Sequence, residues 1–383
     1  MSRSVLWAND FPPITSGIAT FFVNIWRNLP PEKVLVIAPR VPESKIVDEA
    51  LPFSVWRLNL PTGESGLSKG LKTLFTVFYC IVISLVQRPA RHHCGQVFSS
   101  GIAGWVCRKF LRIPYVVYVY GSETVRLGSG GLSERLMRRV LDDSELVVAN
   151  SQYTAQEFIS FGISPGHIKV IYPGVDPDHF LPADPSPDLV NRYGLAGKRA
   201  LLTVARLDER KGHDVVIRAL GILSAEFPDL VYLIPSRGRE EPRLRALTSE
   251  LNLEEKVQFL GFVPDEELPN LYNLCDIYIM PNRVTQETVL AGDVEGFGIA
   301  FIEASSCAKP VVAGRSGGAV EAVADGETGI LVDDPDSPEA VSEALRTLLS
   351  DPDLCQRLGK AGRIRVTEKY DWRLLARQVA EIL

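Results

Sequence analysis

Residues 201–226, LLTVARLDERKGHDVVIRALGILSAE, indicate the fold class most clearly. The apolar run 201–205 is typical of a buried parallel strand, and the spacing of apolar residues from about His213 to Glu226 is typical of a helix. A charged loop, 206–212, joins the two. A strand, a loop and a helix in this order form the repeating unit of an α/β protein with a parallel sheet.

The same unit recurs on both sides of this stretch. Further predicted strands lie at 5–8, 34–38, 115–120, 146–149, 169–172, 231–234, 257–260, 277–280, 310–313 and 330–332. Helical patterns lie between them, and the proline-rich segment LPADPSPDLV (181–190) is the best linker candidate. We therefore predict an α/β protein of two doubly wound, Rossmann-like domains that face a central cleft, with ligands at the carboxyl ends of the strands.

Length and composition agree with two globular domains. The chain has 383 residues, of which 46% are hydrophobic and 23% charged, and a domain has about 100–150 residues or more. The formal net charge of −6 does not favour nucleic acid as a partner. The charge is unevenly spread, with +2 in residues 1–190 and −8 in residues 191–383.

The six cysteines and five histidines indicate neither disulfides nor a metal site. No C-x-x-C pair occurs, so we expect free thiols in a reducing, cytoplasmic setting and no zinc. The first residues, MSRSVLW, lack the apolar core of a signal peptide. The longest apolar stretch, 71–86, predicts a core-facing helix of an α/β domain rather than a membrane span.

Basic residues cluster on two predicted helices of the first half. They are Arg108, Lys109, Arg112, Arg135, Arg138 and Arg139. One interpretation is an ordinary solvated face. The other is attraction to anionic lipid headgroups, which would make the protein peripheral on the inner face of the membrane.

Two cations follow the strand 201–205. Arg206 comes directly after it, and Lys211 follows five residues later, before a helix. Arginine can hold two phosphate oxygens at once and lysine supplies a compact charge, so the pair suits a diphosphate. A solvated loop is the alternative, because Asp208, Glu209 and Arg210 are also present.

A second cluster lies in EGFGIAFIEASSCAKPVVAG, residues 295–314. Its glycines let the backbone approach a ligand closely, and the helix that begins at about Ile299 offers free N–H groups to an anion. Glu295 precedes this helix and Glu303 lies within it, among apolar neighbours that argue against simple exposure. A ligand rich in hydroxyl groups would satisfy both carboxylates.

Over nearly its full length, the sequence resembles the retaining nucleotide-sugar glycosyltransferases of family 4, which have the GT-B fold. The E-x7-E pair, Glu295 and Glu303, is the most specific carrier of the resemblance. The R-x4-K pair, Arg206 and Lys211, supports it, as does the loop NDFPPITSG that ends at Gly17. The segments NSQY (150–153), PGVD (173–176), SGG (316–318) and YDW (370–372) follow in the expected order.

Within the family, NDFPP (9–13) and DVEGFG (293–298) are most similar to mannosyltransferases that extend phosphatidylinositol mannosides from GDP-mannose. The resemblance implies transfer of a hexosyl group, with mannosyl favoured, to a hydroxyl of a lipid-linked or polysaccharide glycan. It implies retention of configuration, with no metal and no cofactor besides the nucleotide sugar. It also implies an acceptor-binding domain, 1–182 with 370–383 crossing back, and a donor-binding domain, 188–369.

The resemblance implies a role for each matching residue. Arg206, Lys211 and Glu295 would be catalytic, because the two cations hold the donor diphosphate and the carboxylate binds hydroxyls of the donor sugar. Glu303 would bind the ribose hydroxyls. The rest of the donor site would be lined by Gly17, Tyr120, Val263, Phe297, Gly298 and Ile299.

Two positions depart from the family pattern. Tyr120 stands where the family usually has a histidine near the donor sugar, and tyrosine is a poorer acid or base near neutral pH, which bears on sugar choice or rate. PSRG (235–238) replaces a turn that is commonly rich in glycine.

Two alternative functions share the architecture. A nucleotide-sugar 2-epimerase would use several acid–base side chains in its cleft. A non-catalytic binding protein could lose Arg206 or Lys211, and both are present.

Overall fold

A computed structural model describes residues 3–61, 63, 65–121, 123, 131–285 and 294–383. The chain divides into two compact units. The first is Met1–Pro173 with Trp372–Leu383, and the second is Gly174–Asp371.

The first unit is built on a parallel sheet. Its described strands are β1 (Ser4–Trp7), β2 (Val34–Pro39), β3 (Ser54–Leu58), β4 (Arg91–Cys94), β5 (Tyr115–Val119), β6 (Leu146–Ala149) and β7 (Ile168–Val170). They pair in the order β3-β2-β1-β4-β5-β6-β7, all parallel. Helices α1 (Gly17–Arg27), α2 (Ser44–Glu49), α3 (Gly66–Gln87), α4 (Ile102–Leu111), α5 (Leu132–Asp142) and α6 (Gln152–Ser160) connect them. The central strands are buried on both faces, which accounts for their continuous apolar sequences.

The second unit repeats this plan. Its described strands are β8 (Arg199–Leu202), β9 (Leu230–Ile234), β10 (Val257–Phe259), β11 (Ile277–Met280), β12 (Val311–Gly314) and β13 (Gly329–Val332). They pair in the order β10-β9-β8-β11-β12-β13, again all parallel. Its helices are α7 (Pro187–Arg192), α8 (His213–Leu223), α9 (Glu241–Glu250), α10 (Leu268–Leu274), α11 (Ile299–Ser306), α12 (Ala319–Ala322), α13 (Pro338–Ser350) and α14 (Pro352–Lys369).

The end of the chain returns to the first unit as helix α15 (Trp372–Ala380). Its residues Trp372, Leu375 and Val379 are buried in the core that α1 and the sheet also build. The Trp372 ring meets the edge of Phe21 at a centroid distance of 6.1 Å. These contacts account for a helix that crosses back from the end of the second unit.

The unit boundary lies nine residues earlier than the predicted 182. The segment that follows β7 is bonded to the second unit: the Phe180 carbonyl accepts from Ser306 Oγ at 2.8 Å and from Arg363 Nη1 at 2.9 Å. Asn273 Nδ2 donates to the Leu181 carbonyl at 2.8 Å. These side chains are distant in sequence, and local composition gives no sign of such contacts. The prediction therefore put the boundary at the proline-rich segment.

Two strands, β3 and β4, were not predicted from the sequence. The edge strand β3 is only partly buried, and β4 has the sequence RHHC. Both histidines are fully buried, and each has a hydrogen-bonded ring nitrogen: Trp7 Nε1 donates to His92 Nδ1 at 3.1 Å, and His93 Nδ1 lies 3.0 Å from the Tyr118 hydroxyl. A buried strand that contains two histidines carries no apolar pattern.

The prediction that 71–86 forms a core-facing helix is right for one face only. In α3 the buried residues are Thr76, Cys80, Ile83 and Ser84, which share one side of the helix. The opposite side carries large apolar side chains that are exposed, such as Phe78. Apolar content alone therefore overestimated how much of this helix is buried.

Candidate active site

The strand order of the second unit reverses between β8 and β11. From β8 the chain moves outward through β9 to β10, then crosses to β11 and moves outward on the other side. In open α/β sheets, ligands bind in the crevice at this point, beyond the carboxyl ends of the strands. The loop after β8 (203–212) and the segment after β11 (281–298) leave the sheet here, and residues 286–293 of the latter lie outside the described part of the chain.

The two segments approach each other closely at their bases. Gly212 has a positive φ of 73°, and a Cβ atom there would lie 2.4 Å from the Pro281 carbonyl oxygen. The Arg283 N–H donates to the Arg210 carbonyl at 2.9 Å. Only glycine fits position 212, both for its backbone conformation and for this contact. The loop is thereby fixed with its cations beside the second segment.

Two cations share one carboxylate at this edge. Lys211 Nζ and Arg210 Nη1 both contact Glu295 Oε2, the latter at 2.8 Å. The three side chains are 11 to 14% exposed. Burial alone would raise the pKa of Glu295, but Lys211 and Arg210 outweigh it and hold this pKa at about 2. Glu295 is therefore ionised throughout the neutral range, and the site keeps a net positive charge that suits a phosphate.

The structure brings Lys211 to Glu295, as the shared site requires, but not Arg206. The Arg206 side chain is 75% exposed and pairs with Asp208 at 3.1 Å. Arg210 occupies the position beside Glu295 instead. Sequence reasoning missed Arg210 because three charged residues in a row, 208–210, are typical of a solvated loop.

The start of α11 is shaped for close approach. Gly298 has a positive φ of 89°, and a Cβ there would come within 2.4 Å of the Phe301 ring. Phe297 is buried and packs edge-on against Tyr370, with centroids 5.4 Å apart. Among the described residues no side chain caps this helix, so the N–H groups at its start, near Ile299, are open to an anion.

Glu303 lies further along α11 with a partner that the sequence did not indicate. The Tyr272 hydroxyl donates to Glu303 Oε2 at 2.6 Å. Burial, together with Asp265, raises the pKa of Glu303 to about 7, although the bond from Tyr272 opposes the shift. Tyr272 belongs to LPNLYNL (268–274), an apolar helix whose sequence gives no sign of this role.

Val263 follows β10 in a short loop. It is half-buried, between the exposed Phe262 and Pro264. The Arg237 side chain lies beside this loop, with Nε 3.8 Å from where a Cβ of Gly261 would stand. Arg237 is exposed, as expected of a solvated residue.

Gly17 and Tyr120 belong to the first unit. Gly17 is the first residue of α1, directly after Ser16, whose hydroxyl caps the helix by accepting from the Ala19 N–H at 3.1 Å. Tyr120 follows β5, and its buried hydroxyl has no hydrogen-bond partner in the described part of the chain. The same holds for Oδ1 of Asn150, which follows the neighbouring strand β6. Both residues follow neighbouring strands at the same edge of the sheet.

The structure also contains a thiol cluster that was not predicted from the sequence. Ligand atoms of Cys80, His92 and Cys107, all buried, lie within 4.8 Å of one another, and the two Sγ atoms are 3.3 Å apart. Trp7 donates to His92 Nδ1, which places the imidazole proton on Nε2, the nitrogen that faces the thiols. A metal would need the lone pair of that nitrogen. The residues therefore fit a hydrogen-bonded thiol cluster better than a metal centre.

The two parallel-sheet units have the GT-B fold. The chain is similar over its whole length to HepE of Anabaena, solved in complex with UDP, with 22% identity, a TM-score of 0.81 and 99% of that chain covered. It is equally similar to sucrose-phosphate synthase from Thermosynechococcus elongatus, with 22% identity, a TM-score of 0.83 and coverage of 100% of this chain and 98% of the other.

The sequence comparisons identify the family. Residues 15–179 match Glycosyltransferase Family 4, and residues 189–365 match Glycosyl transferases group 1. A GDP-mannose-dependent alpha-(1-6)-phosphatidylinositol monomannoside mannosyltransferase of Mycolicibacterium smegmatis is 32% identical over 99% of this chain and 97% of its own length. A D-inositol 3-phosphate glycosyltransferase of Thermobispora bispora is 32% identical over 78% of this chain and 71% of its own. The chain belongs to glycosyltransferase family 4, and it is an enzyme that transfers a glycosyl group from a nucleotide sugar.

Proposed function

We propose that the enzyme transfers mannose from GDP-mannose, with retention of configuration, to a hydroxyl of a phosphatidylinositol mannoside or a similar glycolipid. The observation that carries the proposal is the cluster in which Lys211 and Arg210 meet Glu295 at the strand-order reversal. Four GDP-mannose-dependent relatives that act on phosphatidylinositol monomannoside, 29 to 32% identical over 99 to 100% of this chain, support mannose and the lipid acceptor.

The cluster serves departure of the nucleoside diphosphate. Lys211 and Arg210 bring two positive charges to where the diphosphate binds, and the exposed Arg206 provides a third in the same loop. The N-terminus of α11 adds oriented N–H groups. These groups stabilise the charge that develops as the sugar–phosphate bond breaks, so the reaction needs no metal and no further cofactor.

The bond changes of the proposed reaction balance without another reactant. The acceptor oxygen forms a bond to the anomeric carbon while the bond from that carbon to the phosphate oxygen breaks. The acceptor proton passes to the departing phosphate, on the same face of the sugar. Glu295 binds sugar hydroxyls as an ionised acceptor, in line with its pKa of about 2.

The remaining residues bind the donor outside the reacting centre. Glu303, oriented by Tyr272, accepts from the ribose hydroxyls. Val263 borders the base, and the backbone at Phe297, Gly298 and Ile299 approaches the sugar and phosphate. In the first unit, we propose that Gly17 lines the diphosphate and that the Tyr120 hydroxyl, which has no partner among the described residues, contacts a sugar where related enzymes have histidine.

The first unit is the proposed acceptor-binding domain and the second the donor-binding domain. Asn150 Oδ1, which has no hydrogen-bond partner in the part of the chain that the structure describes, is the proposed contact for a glycan hydroxyl. We also propose that the enzyme acts in the cytoplasm, peripheral on the inner face of the membrane, where it would meet a lipid acceptor.

An acceptor screen tests the proposal and includes a second candidate. Wild-type protein is incubated with GDP-mannose, UDP-glucose or an ADP-sugar, each with a phosphatidylinositol monomannoside or with D-inositol 3-phosphate. The second acceptor is included because of the relative that is 32% identical over 78% of this chain. Of the three donors, we expect only GDP-mannose to give a glycolipid product with phosphatidylinositol monomannoside. GDP-mannose should also raise the melting temperature of the protein. Transfer to D-inositol 3-phosphate only, or from another donor only, would contradict it.

A further inference from the structure

The outer face of α3 is apolar. Leu67, Leu74, Phe78, Leu85 and Val86 are 58 to 78% exposed, and three further large apolar residues of the same helix are 41 to 42% exposed. At about 100° per residue, these positions share one third of the helix circumference. That third lies opposite the side that packs into the first unit. A surface helix normally shows the reverse arrangement, with polar residues outward.

The inner face keeps α3 attached to its unit. By length and composition, α3 could cross a membrane. However, Thr76 Oγ1 accepts from Ser99 Oγ at 3.0 Å, and Ser84 Oγ lies 2.9 Å from His92 Nε2, all of them buried. Insertion across a bilayer would break these bonds and leave polar groups without partners. Only the outer face is free to meet another surface.

Basic residues lie near both ends of α3. The 58 residues from 65 to 122 contain seven lysines and arginines and no aspartate or glutamate. Four of the seven, Lys69, Arg88, Arg108 and Arg112, have no ion pair among the residues that the structure describes. Lys69 is in the first turn of α3, and Arg88 directly follows its last residue.

The other two cations lie next to the far end of α3. Helices α3 and α4 run the same way, because Ser99, before α4, contacts Thr76, while Cys107, in the middle of α4, contacts Ser84. Arg108 and Arg112 therefore lie beside the C-terminal end of α3. The exposed Phe110 stands between them, so this end also combines apolar and basic groups.

We propose that the outer face of α3, with its flanking cations, docks in the plane of a membrane surface that contains anionic phospholipid. The apolar side chains would enter the boundary between headgroups and acyl chains, and the cations would contact the phosphates. A second copy of the chain suits the face less well, because a two-fold contact would place the same cations opposite one another. The proposal is independent of the donor site, although it fits a lipid acceptor.

Vesicle flotation with the full-length protein tests the proposal. The vesicles are phosphatidylcholine alone or with 30% phosphatidylglycerol, a composition chosen as the probe. The test variant is Leu74→Gln with Phe78→Gln and Leu85→Gln, all on the exposed face, where polar substitution leaves the core intact. The matched control is Ile46→Gln with Ile222→Gln and Ile364→Gln, three exposed apolar residues on other helices.

We expect wild type and control to float with the anionic vesicles, and the α3 variant to bind at least tenfold more weakly. Binding to phosphatidylcholine alone should be at least tenfold weaker for the wild type, and 1 M salt should reduce binding to anionic vesicles. Equal binding by the α3 variant, or no binding by the wild type, would overturn the proposal. So would an α3-dependent dimer without vesicle binding. Donor affinity, measured without vesicles, should be the same in all three proteins, which separates this test from that of the proposed function.

Discussion

At the scale of single residues, the site combines two carboxylates in opposite electrostatic settings. Glu295 faces two cations and has a pKa of about 2, whereas Glu303 faces a tyrosine hydroxyl and has a pKa raised to about 7 by burial. The first is a permanent anion that anchors Lys211 and Arg210. The second changes its charge in the physiological range, so donor binding should depend on pH through Glu303.

The affinity for GDP-mannose should increase as the pH rises from 6 to 8. Ribose hydroxyls donate to an ionised carboxylate, and a pKa of about 7 leaves about one tenth of Glu303 ionised at pH 6 and about nine tenths at pH 8. Calorimetry should therefore give a dissociation constant about tenfold lower at pH 8. Glu303→Gln should bind weakly and with no pH dependence over this range, and a dependence unchanged in this variant would exclude the assignment.

The free protein should respond to pH in the opposite direction. A carboxyl whose pKa is raised on folding contributes its stability below its usual pKa of about 4.5 and loses that contribution as the pH rises through 7. The melting temperature of the protein without donor should fall between pH 6 and 8, and it should fall less in Glu303→Gln. An equal fall in both proteins would assign it to other groups.

Arg210 is the residue that most alters the interpretation of the site. That Arg206 and Lys211 hold the diphosphate stays a prediction. The structure adds Arg210, which contacts Glu295 together with Lys211, while Arg206 is exposed and contacts Asp208. Arg210→Ala should lower kcat/KM for transfer by about 10- to 100-fold, because Glu295 keeps only one of its two cations. Arg239→Ala, an exposed arginine nearby, is the control. Equal rates in both variants would show that Arg210 has no part in the reaction.

At the scale of elements, the sequence predicted the strands that consist of apolar runs and the helices whose apolar residues recur with a helical period. The E-x7-E block predicted the start of α11 at Ile299, where the structure begins the helix. It could not predict β4, because the partners of His92 and His93 are 85 and 25 residues away in sequence. It also could not place Tyr272 beside Glu303, since 31 residues separate them.

The turn into α11 is central to the proposed donor site. Gly298→Ala introduces a Cβ within 2.4 Å of the Phe301 ring at a positive φ of 89°, so the backbone must shift. Unfolding by denaturant should show a loss of about 1–3 kcal/mol, and donor affinity should fall. Gly194→Ala is the control, because its φ of 61° imposes strain while nothing lies within 4 Å of its Cβ. Loss of affinity in both variants would point to strain in general rather than to this turn.

At the scale of the whole molecule, two parallel sheets carry separate sets of functional groups. The doubly wound plan was predictable because apolar runs and helical periods alternate along the whole chain. The division between the units at Pro173 was not predictable, because it depends on hydrogen bonds between residues distant in sequence, such as that from Ser306 to the Phe180 carbonyl. The return of α15 to the first unit rests on Trp372, which belongs to a short C-terminal motif.

Removal of the Trp372 side chain tests how α15 holds the first unit. The residue is 4% exposed and packs in the core with Phe21. Trp372→Ala should lower the free energy of unfolding by about 3–5 kcal/mol, while the exposed Arg377→Ala changes it by less than about 0.5 kcal/mol. Binding of GDP-mannose by the second unit should survive below the melting temperature, and a Trp372→Ala protein as stable as wild type would refute the role of α15.

We propose that the carboxyl edge of the second sheet, through Lys211 and Glu295, carries out glycosyl transfer. The most direct measurement is the initial rate of transfer of labelled mannose from GDP-mannose to the lipid acceptor by Lys211→Ala, compared with Lys198→Ala. Lys198 is an exposed lysine at the other end of β8, one residue before the strand begins. We predict a loss of at least about 100-fold for Lys211→Ala, with the fold retained, and a rate near wild type for Lys198→Ala. Equal rates in the two variants would contradict the account.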